Sequence, residues 1–277
     1  MGYIFNDKKN VVFIVFIGSL VIAEISQAWI LFPYTTLSSE KVKSIDIGKT
    51  SKSSRISILI ANVLMKNRNT DTLIKMIRTK NPTLFVTMEV NNWWVSKLSM
   101  FNKDYPYKVF FPTDNTYGMC LYSQLPLTDA KVLFLTNKNV PSIHCKVTLA
   151  NGKTFQLLAI HPVAPKPSIH PDNMGKIENG LLKAAQLITR QQIPTLVAGD
   201  FNDVAWSYNT TQFANISKLK DVRCGRGLYN TLDANFSFFR WPLDHVFVSD
   251  EFRVINLERL PAFGSDHYPF YAQLALP

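Results

Sequence analysis

The sequence predicts an α/β protein, a two-sheet α/β sandwich preceded by one N-terminal transmembrane helix. Three observations lead there. Val11 to Phe32 is almost continuously apolar. After Arg55, short strand-like apolar runs mix with amphipathic helical segments without strict alternation, which fits two packed sheets better than one parallel sheet. Polar residues recur where those strands end. The division is a short tail over 1–10, a transmembrane helix or signal anchor over 11–33, a linker over 34–54 and one domain over 55–277. With 47% hydrophobic residues, the 277-residue chain has enough apolar material for one sizeable core.

The apolar run follows Lys8 and Lys9 and is interrupted by Glu24, Ser26 and Gln27. At 1.5 Å rise per residue it reaches roughly 33 Å, about the hydrocarbon thickness of a bilayer. Glu24 is costly at mid-depth, whereas Trp29 and Tyr34 suit the far interface. A signal peptide cleaved at Ser26-Gln27-Ala28 is a second reading, and a buried core helix a third, disfavoured by length and by the polar stretch that follows. Orientation is not set by charge, because Lys8 and Lys9 precede the run but Lys41, Lys43, Lys49 and Lys52 follow it within about 20 residues. Residues 35–54, rich in Ser, Thr and Lys, read as a solvated linker.

From Arg55 the elements follow in order. Residues 56–61 form a buried strand ending at Asn62, and 71–79 a short amphipathic helix stopped by Asn81-Pro82. Residues 83–88 form a second strand ending at Glu89, followed by a helix over 91–100. Further strands are expected over 108–111, 118–123, 143–149 and 154–160, the last ending at His161 before the proline-rich loop 162–171. Gly175 to Arg190 carries Ile177, Leu181, Leu182, Ala185 and Ile188 on one helical face. A strand over 194–198 leads into Gly199-Asp200-Phe201-Asn202, and the final strands are 245–248 and 268–274.

Composition narrows the functional classes. Gly 11, Pro 15 and 18% charged residues exclude collagen-like and disordered chains. Cys120, Cys145 and Cys224 form no CxxC pair, so neither a zinc site nor a disulfide framework is indicated, and three unpaired thiols are expected. The formal charge of +10, with 23 basic against 16 acidic residues after Arg55, favours anionic partners such as phosphates, nucleic acid or acidic lipid headgroups.

The residues that carry chemistry stand at strand ends. Asn62, Glu89, His161 and Asp200 each close a hydrophobic strand, and Asp266 and His267 precede one. Singly, each has a turn or capping explanation; together they place polar groups on one rim of a rigid scaffold. Hard oxygen donors from Glu89, Asp266 and Asn62 suit Mg²⁺ or Mn²⁺. A carboxylate such as Asp200 can take a proton from water, and a histidine held by a buried Asp can bind developing phosphoryl charge.

The segments Asn62-Val63, Glu89, His161-Pro162, Gly199-Asp200-Phe201-Asn202-Asp203, Pro242-Leu243-Asp244-His245-Val246-Phe247 and Gly264-Ser265-Asp266-His267 occur in an order that resembles the endonuclease/exonuclease/phosphatase superfamily. That superfamily includes pancreatic-type deoxyribonucleases, abasic-site endonucleases, sphingomyelinases and inositol-polyphosphate phosphatases. The resemblance spans about residues 55–275. It implies a metal-dependent phosphoester hydrolase acting on nucleic acid or on a lipid-linked phosphate, and a monomer. Glu89 would be the main Mg²⁺ or Mn²⁺ ligand, assisted by Asn62 and Asp266. Asp200 would orient or deprotonate water, with Asn202 donating a hydrogen bond nearby. His267, partnered by Asp244, and His161 would face the phosphate. Met88 stands where the family often has Gln. The leader, with Gln27-Ala28-Trp29 and Phe32-Pro33-Tyr34-Thr35-Thr36, resembles a bacterial subgroup with membrane-spanning N-termini. Some of its distant relatives act on lipid-linked pyrophosphates, which implies a single-pass inner-membrane protein with a periplasmic domain.

Other residues read as structural first. Trp93, Trp94, Trp206 and Trp241 suit core or rim packing. Tyr117-Gly118, Arg223 and Arg226 suit either a phosphate-binding rim or solvated loops. His144 and His170 stand in no motif, and His245 points away from the site if its strand has begun.

Overall fold

The computed structural model describes residues 2–164, 180–190, 192–236 and 238–277. The first sheet joins β1 (Arg55–Asn62), β2 (Leu84–Met88), β3 (Tyr107–Phe111), β4 (Met119–Ser123), β11 (Arg253–Arg259) and β12 (Phe270–Ala275), in the order β11-β12-β1-β2-β4-β3. The second joins β5 (Leu127–Leu133), β6 (Ser142–Thr148), β7 (Thr154–Ile160), β8 (Thr195–Asp200), β9 (Lys220–Asp221) and β10 (Asp244–Val248), in the order β5-β6-β7-β8-β10-β9.

Side-chain alternation along each strand explains the layers. In β1, Ile58 and Ile60 face the second sheet, where Leu157, Ala159, Leu196 and Val246 meet them. Leu59 and Ala61 face outward against Leu73 and Ile77 of α2 (Thr70–Lys80) and Trp94 and Leu98 of α3 (Asn92–Leu98). On the far face of the second sheet, Leu158, Val197 and Phe247 pack on α4 (Gly180–Ile188) and on Phe213 of α5 (Tyr208–Ser217). Central strands buried on both sides read as mostly apolar runs, which is why they were legible.

Each sheet is built around one parallel pair, β1 with β2 and β7 with β8, while β12 and β10 run antiparallel to β1 and β8. The C-terminal ends of both parallel pairs and the N-terminal ends of β10 and β12 therefore open on the same edge of the sandwich. This edge carries the site.

Several elements differ from the sequence reading. β5 and β11 are outer strands with mixed polar faces, and a register shift interrupts each, so neither presents a clean alternation. α5 buries only Thr210, Phe213 and Ser217, too narrow a stripe to read, and its start is set by Ser207, whose side chain accepts from Thr210 N. The predicted helix over 175–190 is described only for Gly180–Ile188; Ile177, His170 and the loop beyond Ala164 lie outside the described residues.

The N-terminal helix, α1, runs Gly2–Leu31, and Asn10–Tyr34 is long and apolar enough to cross a membrane. The reading of 34–54 as a solvated linker needs correction. Tyr34 and Val42 are buried, Gly225 N donates to Pro33 O, and Tyr34 Oη donates to Ala205 O at 3.0 Å. Arg226 pairs with Glu40 at 2.8 Å and donates to Val42 O, while Lys43 to Ile45 hydrogen-bond with Val254 of β11. The segment is a belt seated on the domain, held by backbone and side-chain hydrogen bonds while many of its polar side chains stay exposed.

Candidate active site

The site is assembled from both sheets. Asn62 ends β1, and its side-chain Nδ2 donates to Glu89 Oε1 at 3.0 Å and to Asp200 Oδ2 at 3.1 Å. Glu89 follows β2 in the left-handed region (φ +60), and its other oxygen accepts from Met65 N at 3.3 Å. A non-glycine residue held at positive φ needs surrounding structure to fix it, and such strain gathers at functional sites. Met88, where the family often has Gln, is buried and receives the Asp200 N–H on its sulfur at 3.1 Å, tying β2 to β8 across the sandwich.

Gly199 lets β8 approach β7. Its φ is +144, and a Cβ there would lie 2.0 Å from Ile160 O. This close approach brings His161 against Asp200, with His161 Nε2 3.7 Å from Asp200 Oδ2. From the opposite side His267 Nε2 lies 3.6 Å from the same oxygen, while His267 Nδ1 bonds to Asp244 Oδ2 at 2.8 Å. Asp200, Asp244, His161 and His267 are all buried. Burial alone would lower the His267 pKa, but the Asp200 and Asp244 carboxylates outweigh it and hold the imidazole up at about 10. His267 is thus an imidazolium clamped between two carboxylates at neutral pH.

The remaining predicted residues frame this centre. Asn202, at φ +53, donates from its backbone to Asp200 Oδ1 at 2.8 Å and from its side chain to Pro162 O at 2.9 Å, so it locks the loops after β7 and β8 together. Ser265 Oγ donates to Asn62 O and accepts from His267 N, and lies 3.3 Å from Asp266 Oδ1. Tyr117 packs at 5.3 Å from the His161 ring. Asn62, Glu89, His161, Asp200, Asn202, Asp244, Asp266 and His267 thus converge on one edge through a continuous chain of contacts.

Two groupings compete as a cation site. Ligand atoms of Asp200, Asp244 and His267 lie within 4.8 Å of one another. Their hydrogen bond and charge pairing make them a histidine–carboxylate system in which two carboxylates share one imidazolium. The second grouping is Glu89 with Asp200, whose carboxylates converge on the Asn62 side-chain amide and offer hard oxygen donors of the kind Mg²⁺ or Mn²⁺ takes; Glu89 and Asp266 are both only partly buried.

Some sequence readings are revised. Arg223 belongs neither to a phosphate rim nor to a solvated loop; it is fully buried and paired with Asp221 at 2.7 Å. Arg226 holds the N-terminal belt. His245 faces away from the site, as the strand alternation requires, and His144 bonds to Gln156 within the second sheet. Trp94 is core. The three cysteines are free and buried, and burial pushes each thiol up to about 12. Sequence reasoning missed Thr231, whose Oγ1 accepts from Asp244 N at 3.1 Å, because it lies in an irregular loop with no flanking pattern.

No curated protein matches the chain in sequence. Among solved structures, the catalytic domain of human Nocturnin with bound sulfate anion superposes with a TM-score of 0.65 at 18% identity, over 82% of this chain and 97% of that one. TDP2 of D. rerio complexed with single strand DNA product gives 0.62 at 14% identity, over 80% and 99%. An endonuclease/exonuclease/phosphatase from Bacteroides vulgatus gives 0.61 at 18% identity, over 80% and 99%. At such identities the likeness establishes the fold. The model of the Endonuclease/Exonuclease/phosphatase family matches residues 59–267, which span every site residue from Asn62 to His267. The chain belongs to the endonuclease/exonuclease/phosphatase family, whose members are generally metal-dependent phosphoester hydrolases.

Proposed function

We propose that the chain is a Mg²⁺- or Mn²⁺-dependent phosphodiesterase of nuclease type that uses an Asp-activated water. The observation that carries this reading is the meeting of Asn62, His161 and His267 on one carboxylate oxygen, Asp200 Oδ2. The metal would be held by Glu89 and Asp266 with help from Asn62, and when bound it would polarise a phosphoryl oxygen and stabilise the leaving oxyanion.

The protein's own groups do the rest. Asp200 orients water and takes its proton, its position fixed by the Asn202 backbone and the Asn62 amide. His267 presents Nε2–H to the phosphate because the ring is an imidazolium: Nδ1–H donates to Asp244, which fixes the ring's orientation, and the second proton sits on Nε2. His161 adds a second polar contact beside it. A neighbour bound to a DNA product and another bound to sulfate support an anionic phosphodiester as substrate.

A second reading, a membrane-tethered phosphatase of lipid-linked phosphate or pyrophosphate, is favoured by one observation: Tyr34, at the end of the apolar span, bonds to the loop that follows Asp200. In either reading we place the protein as a single-pass monomer in a bacterial inner membrane with a periplasmic domain.

The test is hydrolysis of bis-p-nitrophenyl phosphate by the full chain in detergent. Activity should require Mg²⁺ or Mn²⁺ and be lost with EDTA. Asp200→Asn should lower turnover about 10²–10⁴-fold with an unchanged melting temperature. Glu89→Gln should recover part of its activity at high Mg²⁺. Turnover that is indifferent to metal would overturn the scheme.

A further inference from the structure

The loop over residues 232–241 forms one lip of the site. Ala234 N donates to Asp266 O at 2.7 Å, Leu232 bridges to both Trp241 and His267, and Tyr268 Oη donates to Ala234 O. The backbone of the catalytic Asp266-His267 pair and this loop are therefore one hydrogen-bonded unit. Its outer surface is unusual. Phe236, Phe238 and Phe239 are 61%, 93% and 69% exposed, and Trp241 is 46% exposed. Single exposed apolar residues are ordinary, but four large exposed aromatics within six residues are the kind of concentration that marks a binding surface.

The patch is continuous with the end of α1. Trp241 packs 6.4 Å from Trp206, and Trp206 packs 6.0 Å from Tyr34, the last residue of the apolar span. Tyr34 is in turn bonded to Ala205, and Pro33 to Gly225. The point where the chain would leave a bilayer is thus fixed against the same rim, with no free tether between them. Cations accompany the aromatics: Arg240 and Arg259 stack over Tyr268 at 5.2 and 4.5 Å. Aromatic rings flanked by cations are the composition that settles at the headgroup layer of an anionic membrane.

We propose that Phe236, Phe238, Phe239 and Trp241 form a membrane-docking lip, which together with α1 holds the mouth of the site against the lipid–water interface. The occupant of this patch is the surface of an anionic bilayer. The proposal rests on α1 spanning that bilayer and is independent of which phosphoester is cleaved.

The test uses the full chain reconstituted into phosphatidylcholine–phosphatidylglycerol vesicles, with an environment-sensitive fluorophore on Phe238→Cys. The native cysteines are buried, so labelling is selective. A control label on Lys103→Cys reports the opposite end of the sheets, where Tyr105 bonds to Pro82 ahead of β2. A quencher carried on the lipid chains near the headgroup should remove most of the emission at position 238 and leave that at 103 unchanged. Equal, weak quenching at both positions overturns the proposal. So does failure of the chain to float with the vesicles, since α1 would then not span. A label at 238 that responds to single-stranded oligonucleotide but not to lipid quencher would assign the aromatics to nucleic acid and also overturn it. Hydrolysis of a soluble phosphodiester by the labelled protein should match wild type, which separates failure of docking from failure of the catalytic reading.

Discussion

Two buried acid–histidine clusters sit back to back on β10, one residue apart, and they behave in opposite ways. Asp244 faces the site, holds His267 and shares it with Asp200. His245 faces away, donates from Nε2 to Asp203 O at 2.9 Å, and stands beside Asp221 and the buried Arg223. In the first cluster two carboxylates surround one imidazole, and His267 is held protonated. In the second, burial and then the Arg223 guanidinium push the His245 pKa down, so that ring is neutral. Burial disfavours charge on Asp221, but Arg223 and His245 overcome it and hold its carboxyl well below the usual range. The residue types are nearly the same; the sign of the surplus charge decides the role. An anionic surplus makes a cationic group ready to meet phosphate, whereas an internal arginine closes the charge balance and leaves a brace.

That contrast can be broken from either side. The largest effect should come from the site cluster: His267→Ala is expected to lower turnover about 10²–10³-fold, as loss of one positioned donor to developing charge does, and to lower the melting temperature as well, because Asp200 and Asp244 are left buried without their cation. Kinetics on the purified variant beside a thermal melt checks both halves. In the brace the loss should fall on stability. Asp221→Asn leaves Arg223 buried without its carboxylate, a loss of about 3–5 kcal/mol in urea unfolding. The double variant Asp221→Leu/Arg223→Met should regain much of that loss, because it removes both charges together. A stability loss from Asp221→Asn no larger than for a surface substitution would mean the pair is solvated.

The smallest and most specific effect is in pH. Both Asp221 and His245 have folded pKa values below their unfolded ones. Each therefore contributes stability that is full above its unfolded pKa and lost as pH falls. Unfolding free energy should begin to decline as pH drops through about 6.5 for His245 and decline further below about 3.9 for Asp221. Asp221→Asn should remove the second part of that slope, so its stability should approach wild type in acid. Urea titrations across the acid range decide it; curves that stay parallel would show that Asp221 carries no linkage.

Much of the architecture was legible because the central strands are buried on both faces, so β1, β2, β7 and β8 appear as mostly apolar runs, interrupted only by single polar residues such as Ser57, Thr87 and Gln156, that end at Asn62, Glu89, His161 and Asp200. The candidate site was legible from the repetition of that placement, since each such residue singly has a turn or capping explanation and only the set points to a shared rim. What stayed hidden lacked a local pattern. Arg223 looked like a loop cation because its partner Asp221 lies on a two-residue strand. The belt over 34–54 looked solvated because its composition is polar, and only the distant Val254, Ala205 and Arg226 reveal how it is satisfied. Loop 232–241 gave no periodicity from which to place its phenylalanines.

The amide of Asn62 has a further consequence, for the order in which the molecule becomes active. It reaches Glu89 across 27 residues, and Asp200 across 138, and its backbone oxygen meets Ser265 across 203. Contacts of such separation carry a heavy loop-closure cost and form late, whereas the helices and the local β6–β7 hairpin are cheap to form early. Asn62, Glu89, His161, Asp200 and Asn202 all precede residue 203, but Asp244, Asp266 and His267 come from the last part of the chain. A nascent chain that stops short of this part therefore lacks the histidine–carboxylate half of the centre, which is complete only when β12 closes the first sheet against β1.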